Sequence, residues 1–197
     1  AALIGGVKSL FSGGGDGQIQ SGAAQSERAF GDLGERLFDS PVRGRGPDEH
    51  SKQVGLPYWA IDYPVPYATP IKAPLGGTAT IGYNESREST SFGRWTIIDH
   101  GYGVTSWIAH QSSFAIANGA TVQTGQVVGY VGNTGFVNPL PTDERPLDGT
   151  HLHYELKINN SRVNPITFDF NRFAREKGAY VDFYLKTFDN NEAWKVR

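Results

Sequence analysis

The stretch GTHLHYELK, residues 149–157, is the part of the sequence that decides the fold. Successive side chains of a strand point to opposite faces, so His151, His153 and Glu155 share one face and the apolar residues between them share the other. Same-face neighbours lie roughly 7 Å apart, too far for a compact pair of metal ligands on one strand. The spacing favours one metal ligand and one neighbour that contacts a metal-bound water, and two surface histidines on a half-buried strand are the simpler alternative.

The chain around this strand has the texture of a mainly β protein. From about residue 54 to 167, short β-rich runs alternate with Gly, Pro and Asn, as in TPIKAPLGGTATIGY (69–83) and ATVQTGQVVGYVGNTG (120–135). Short strands separated by frequent turn signals favour an antiparallel sheet or a small barrel-like core over parallel βαβ units.

The two ends differ from this central region and divide the chain into three parts. Residues 1–45 are rich in Gly, Ala and Ser, which predicts a flexible arm, with a short helix favoured within 26–40. The β domain is expected over 46–167, followed by an extension over 168–197 with a helix at 168–178, ended by Gly178, and an aromatic-rich tail. Both ends are candidates for contacts with protein partners.

Composition limits the classes of function. The net charge of -2 comes without a dense Lys/Arg cluster, so nucleic acid is not an expected partner, and no apolar run is long enough to span a membrane. The absence of cysteine removes disulfides, thiolate ligands and a Cys nucleophile. Any metal site must therefore use His, Asp, Glu or Tyr.

Two further residues fit a metal site. Asp62 lies between apolar residues, where an unpaired carboxylate is costly, so a nearby cation is expected. His110 ends an alternating strand in GVTSWIAHQ, which predicts that it shares a face with Val104, Ser106 and Ile108. His100, in a predicted tight turn, is interpreted as structural.

Four blocks of sequence, taken in order, resemble the LytM/lysostaphin-type zinc metallopeptidases of the M23 family. They are AIDYPVPYATPIKAPLGGTAT (60–80), IIDHGYGVTSWIAHQS (97–112), GATVQTGQVVGYVGNTG (119–135) and GTHLHYELKINNSRVNPITF (149–168). The resemblance covers about residues 56–167. It implies an antiparallel β core with one zinc ion and cleavage of peptide cross-links in bacterial peptidoglycan. An extracellular, periplasmic or virion-associated location follows from that substrate and from the unusual arm and tail.

The resemblance also implies roles for individual residues. Asp62 and His153 match metal ligands, His151 matches the catalytic base, and His110 matches the histidine that orients water or stabilises the oxyanion. Tyr154 and Asn133 are the expected residues of the substrate groove, with the polar loop 138–149 as a candidate wall.

One position departs from the family pattern. The first ligand is expected as a histidine four residues before Asp62, where this chain has Tyr58, and the next histidine upstream is His50. Either His50 or Tyr58 completes the site, or neither does and zinc is bound poorly. The sequence thus leaves two functions open: a zinc endopeptidase of peptidoglycan, or an inactive module for cell-wall binding or assembly, for example in a phage tail.

Overall fold

The computed structural model describes residues 32–46, 59–84, 86–88 and 91–188. Within these residues, nine strands form one antiparallel sheet in the order β1-β8-β5-β4-β3-β6, while β7 pairs with β2 and β5, and β9 pairs with β8. The strands are β1 (Ala60–Tyr63), β2 (Pro70–Lys72), β3 (Gly77–Tyr83), β4 (Arg94–Asp99), β5 (Val104–Phe114), β6 (Thr121–Val122), β7 (Val127–Val131), β8 (Leu152–Ile158) and β9 (Ser161–Val163). The predicted mainly β antiparallel fold is confirmed, although the sheet is not closed into a barrel.

The central strand β8 lies between β1 and β5 and is buried along its whole length. Its pairing with β5 separates two faces. Ile108 lies opposite Tyr154 on the core face, whereas Ala109 lies opposite His153 on the other. Each fully buried Leu or Ile of the core face contributes about 1.5–3 kcal/mol through removal of apolar surface from water. This burial fixes the register, and therefore the face on which the histidines lie.

A series of buried hydrogen bonds crosses the core face and accounts for the buried position of His100. The carbonyl of Gly76 accepts a hydrogen bond from His100 Nδ1 at 3.0 Å, so Nδ1 carries the hydrogen. His100 Nε2 then accepts from Ser106 Oγ at 2.9 Å, and Ser106 Oγ accepts from the Tyr154 hydroxyl at 2.8 Å. Burial lowers the pKa of His100, in keeping with a neutral imidazole in this chain. These contacts support the structural interpretation of His100.

In the part of the chain that the structure describes, three helices accompany the sheet: α1 (32–38), α2 (Phe170–Glu176) and α3 (Gly178–Thr187). The Asp169 side chain caps α2 by accepting from the Arg172 backbone N–H. Lys177, with φ of +49°, ends α2, and Gly178 begins α3, so the prediction that Gly178 ends the helix is wrong. Four aromatic residues of these two helices pack into the core, namely Phe170, Phe173, Tyr180 and Tyr184, whereas Phe183 is exposed.

The described part of the predicted arm belongs to the packed domain. Leu33 and Leu37 of α1 lie in the hydrophobic core, and Phe38 packs edge-on against Tyr63 at 5.4 Å. The chain then runs beside β1, where Arg45 forms an antiparallel bridge with Asp62. Among the described residues, no helix combines the length and apolar character needed to cross a membrane.

Candidate functional site

Three segments of the sheet bring four polar side chains to one place. Asp62 of β1 is the register partner of His153 in β8, and Ala109 of β5 lies opposite His153 on the other side. His151 precedes β8 and bridges to Gly132. Three ring nitrogens lie within 4.8 Å of one another, one each from His110, His151 and His153, and are close enough to hold a metal ion. The strand pairing thus assembles residues 91 positions apart in sequence.

His110 reaches this cluster because β5 is irregular at that point. The register between β4 and β5 shifts by one residue, from Thr96 opposite Ile108 to Arg94 opposite Gln111. His110 has φ of +61°, in the left-handed region, and its ring centroid lies 4.8 Å from that of His151. The predicted common face with Val104, Ser106 and Ile108 is therefore wrong. A bulge adds one residue and turns the imidazole away from the core, as bulges beside active sites often do.

Three basic side chains among the described residues contact the Asp62 carboxylate. Its Oδ1 lies 2.9 Å from His153 Nδ1 and 3.6 Å from His151 Nε2, and its Oδ2 lies 2.9 Å from Arg45 Nη2. The residue is only 6% exposed, so these contacts offset the cost of burying a negative charge. The cation expected beside Asp62 is thus partly supplied by Arg45, whose side chain is 51% exposed.

The three imidazoles differ in charge because their neighbours differ. Burial disfavours the charged form of His153, but hydrogen bonds to the carboxylates of Asp62 and Glu155 outweigh it and raise the pKa to about 9. Burial, followed by repulsion from His153 and His151, lowers the pKa of His110 to about 3. Burial also lowers the pKa of His151, against the attraction of Asp62. At neutral pH, His110 and His151 are neutral.

Backbone carbonyls fix the tautomers of the two neutral histidines. His110 Nδ1 donates to the Thr134 carbonyl at 2.8 Å, and His151 Nδ1 donates to the Gly149 carbonyl at 2.7 Å. Since a carbonyl only accepts, the hydrogen of each ring is on Nδ1 and Nε2 keeps its lone pair. The site therefore offers two neutral imidazoles whose Nε2 atoms can each accept a hydrogen bond.

Of the two predicted groove residues, one is misplaced. Tyr154 is 0% exposed and lies on the core face of β8, because alternation sends it away from the histidines. The interpretation of Tyr154 as a groove residue is wrong. Asn133 braces the neighbouring loop: its Nδ2 donates to the carbonyls of Pro146 and Asp148, each at 2.9 Å. It thereby holds the loop 138–149 beside His151.

His50 and Tyr58, the alternative third ligands, lie outside the described residues. Two residues near the cluster were missed by sequence reasoning, Arg45 and Glu155. Alternation already placed Glu155 on the histidine face, and its Oε1 lies 3.2 Å from His153 Nε2. No sequence signal identified Arg45, because its approach depends on the long-range bridge to Asp62.

The donor set fits zinc. Imidazole nitrogens and carboxylate oxygens are its usual ligands in a protein without cysteine, and a catalytic site needs three of them with one open position. Asp62 Oδ1 and His153 Nδ1 face each other at 2.9 Å, and His151 and His110 stand beside them. The residues present can hold a metal on the histidine face of the sheet.

Comparison with known proteins agrees with this geometry. The family model described as Peptidase family M23 matches residues 57–165. The DD-carboxypeptidase/endopeptidase Mpg of Neisseria meningitidis serogroup B is 37% identical over 107 residues, 54% of this chain and 21% of its own length. The L-Ala--D-Glu endopeptidase of Bacillus subtilis is 30% identical over 156 residues, 69% of this chain and 43% of its own.

Among solved structures, a putative M23 peptidase from Pseudomonas aeruginosa is 31% identical, with a TM-score of 0.47 over 66% of this chain and 48% of that chain. The chain spans only about a fifth of the length of the Mpg protein. The residues matched by the family model include all four side chains of the cluster.

Proposed function

Because this chain belongs to peptidase family M23, we propose that it is a zinc-dependent endopeptidase that cleaves peptide bonds of bacterial peptidoglycan. The observation that carries the proposal is the convergence of Asp62, His110, His151 and His153 on one face of the sheet, with the ring nitrogens within 4.8 Å. Relatives named for DD-endopeptidase and L-Ala--D-Glu endopeptidase activity support the substrate class.

Asp62 and His153 would hold the metal, with His50 or Tyr58 as the third ligand. Zinc, when bound, polarises the scissile carbonyl and increases the acidity of a water molecule. His153 would bind through Nδ1, the nitrogen 2.9 Å from Asp62. On metal binding, Nδ1 would give up the hydrogen that it otherwise shares with the Asp62 carboxylate.

His151 is the proposed general base. It is neutral at pH 7, its Nε2 keeps the lone pair, and that atom is 3.6 Å from Asp62. It can take a proton from the attacking water and return it to the leaving amine. The Gly149 carbonyl holds the ring in the tautomer that this step requires.

His110 is proposed to orient the water. Stabilising an oxyanion requires an N–H donor, but its single ring hydrogen is on Nδ1 and bound to the Thr134 carbonyl. A pKa of about 3, lowered first by burial and then by the two neighbouring histidines, keeps Nε2 without a hydrogen at neutral pH. Of the two roles that the family resemblance implies, accepting a hydrogen bond from water is the one this tautomer supports.

Peptidoglycan lies outside the cytoplasmic membrane, so we infer that the domain acts extracellularly or in the periplasm. Virion association, with cell-wall cleavage during phage penetration, is a narrower form of the same proposal. Asn133 and the loop it braces are proposed to form one wall of the substrate groove.

A second function is favoured by the Arg45 contact. Its guanidinium lies on Asp62 Oδ2, and Tyr58 stands at the first ligand position. If these features prevent zinc binding, the domain keeps the M23 fold as an inactive module for cell-wall binding or assembly.

Elemental analysis of the purified chain separates the two functions. We expect about one zinc per chain, lost in Asp62→Ala but kept in Asp182→Ala, which makes the same change on the exposed face of α3. Purified cell walls should lose turbidity with the wild type, and a chelator should stop this until zinc is restored. Zinc no higher than in Asp62→Ala would refute the peptidase and favour the inactive module.

A further inference from the structure

Glu155 is a fully buried acidic side chain that the proposed chemistry does not use. It lies in β8 on the same face as His153, opposite Trp107 of β5, and is 0% exposed. A buried carboxylate is costly unless it is paired and hydrogen-bonded. Its position two residues from a proposed metal ligand makes its contacts informative.

The two carboxylate oxygens of Glu155 serve different partners. Oε1 lies 3.2 Å from His153 Nε2, while Oε2 lies 2.9 Å from Arg162 Nε and 3.3 Å from Lys157 Nζ. The Lys157 ammonium also lies 3.3 Å from the centre of the Trp107 ring, which fixes it on this side. The cations thus hold one oxygen, and the other is directed at the histidine.

This arrangement determines which nitrogen of His153 is available. Two cationic side chains, Arg162 and Lys157, lie against Oε2, so the buried Glu155 carboxylate is ionised. An ionised carboxylate accepts hydrogen bonds and cannot donate them, so His153 Nε2 must carry a hydrogen. In the metal-free chain Nδ1 also shares a hydrogen with Asp62 Oδ1, and that hydrogen, at the proposed metal position, is the one that a metal would displace.

We propose that Glu155 is a positioning residue, which holds His153 in the Nε2–H tautomer and directs Nδ1 at the metal position beside Asp62. The inference rests on the proposed zinc site. Carboxylates that accept from the far nitrogen of a histidine ligand fix its ring and strengthen metal binding. Phe92, 5.5 Å from the His153 ring, covers the same imidazole and limits its rotation.

Glu155→Gln tests this role because it keeps the size of the side chain. The amide oxygen is expected to face Arg162 and Lys157, which leaves the NH2 group directed at His153 Nε2. That nitrogen must then accept, so the single hydrogen of the neutral ring stays on Nδ1 and blocks the ligand atom. A mere loss of an ion pair would lower stability without exchanging the two nitrogens.

The measurements are zinc affinity, by competition with a coloured chelator, and heteronuclear NMR of the histidine side chains in the full chain. We expect zinc binding about 10- to 100-fold weaker in Glu155→Gln. In the metal-free chain at neutral pH, His153 of the variant should carry a hydrogen on Nδ1 alone, whereas the wild type carries one on each ring nitrogen. Glu176→Gln, which makes the same change in the Arg172 ion pair of α2, should leave both unchanged.

The outcomes separate this inference from the proposed function. Unchanged affinity and tautomer in Glu155→Gln, with zinc bound by the wild type, would overturn the positioning role alone. Absence of zinc from the wild type would overturn both. If Glu155→Gln fails to fold, the zinc-loaded wild type still decides: binding through Nδ1 with hydrogen on Nε2 supports the role, and binding through Nε2 refutes it.

Discussion

The left-handed backbone at His110 predicts an unusual order of stability among small substitutions. With φ of +61°, any residue with a Cβ is strained there by about 1–2 kcal/mol, and glycine is not. Glycine loses more freedom on folding than alanine, which costs about 0.4–1 kcal/mol. The difference leaves His110→Gly more stable than His110→Ala by about 0.5–1 kcal/mol.

His153 provides the matched control. It lies in β8 on extended backbone, where glycine is less stable than alanine by roughly 0.5–1 kcal/mol. Each pair of variants loses the same imidazole contacts, so comparing Gly with Ala isolates the backbone. The sign of the difference should therefore reverse between the two positions.

Urea unfolding of the metal-free variants, followed by circular dichroism, measures these differences. The two pairs should differ by about 1.5 kcal/mol in the free energy of unfolding, or about 3–6 °C in Tm for a domain of this size. An alanine variant at 110 that matches or exceeds the glycine variant would refute the strained bulge. The result also bears on function, because the same bulge directs the His110 side chain to the histidine cluster.

Three further predictions concern the site and its surroundings. His153→Ala should abolish zinc binding and cell-wall lysis. His151→Ala should keep its zinc in elemental analysis and lower turnover about 100- to 10,000-fold. Loss of zinc from His151→Ala would contradict the role of His151 as the base. In the chelator competition, Arg45→Gln should raise zinc affinity by up to about fivefold at low salt and by less at high salt, because Arg45 forms a partly exposed ion pair with Asp62. Arg175→Gln in α2 is the control. His100 has its pKa lowered by burial, so the folded chain binds fewer protons than the unfolded chain below pH of about 6.5, and stability falls as the pH drops. In His100→Gln that decline should be shallower by up to about 1.4 kcal/mol per pH unit, and identical slopes in urea unfolding between pH 7 and 5 would show that His100 is not neutral in the fold.

The sequence predicted the general architecture and several members of the site. Period-two alternation in 149–157 identified β8 and placed His151, His153 and Glu155 on one face, because a strand leaves no other arrangement of neighbouring side chains. Ordered blocks of sequence predicted the family that the comparison then confirmed. These features are local, or are repeated often enough along the chain to be recognised without coordinates.

Tertiary structure decided the parts that depend on pairing between distant segments. Alternation directed His110 into the core, and only the register shift between β4 and β5 turned it to the site. Alternation also sends Tyr154 into the core, so its assignment to a groove contradicted the local pattern. Arg45 reaches Asp62 through a bridge between two segments 17 residues apart, which no local pattern encodes.

The difference between what the sequence determined and what the tertiary structure decided has a physical cause. A side chain's face on a strand follows from bonded geometry and nearest neighbours, so the sequence determined the β core and the polar face of β8. A bulge, a buried ion pair and a shared carboxylate depend on the free energy of the whole fold. Local strain and desolvation raise that free energy, and packing elsewhere compensates for them. The charge and direction of each imidazole, and with them the chemistry of the site, were therefore decided only in the folded structure.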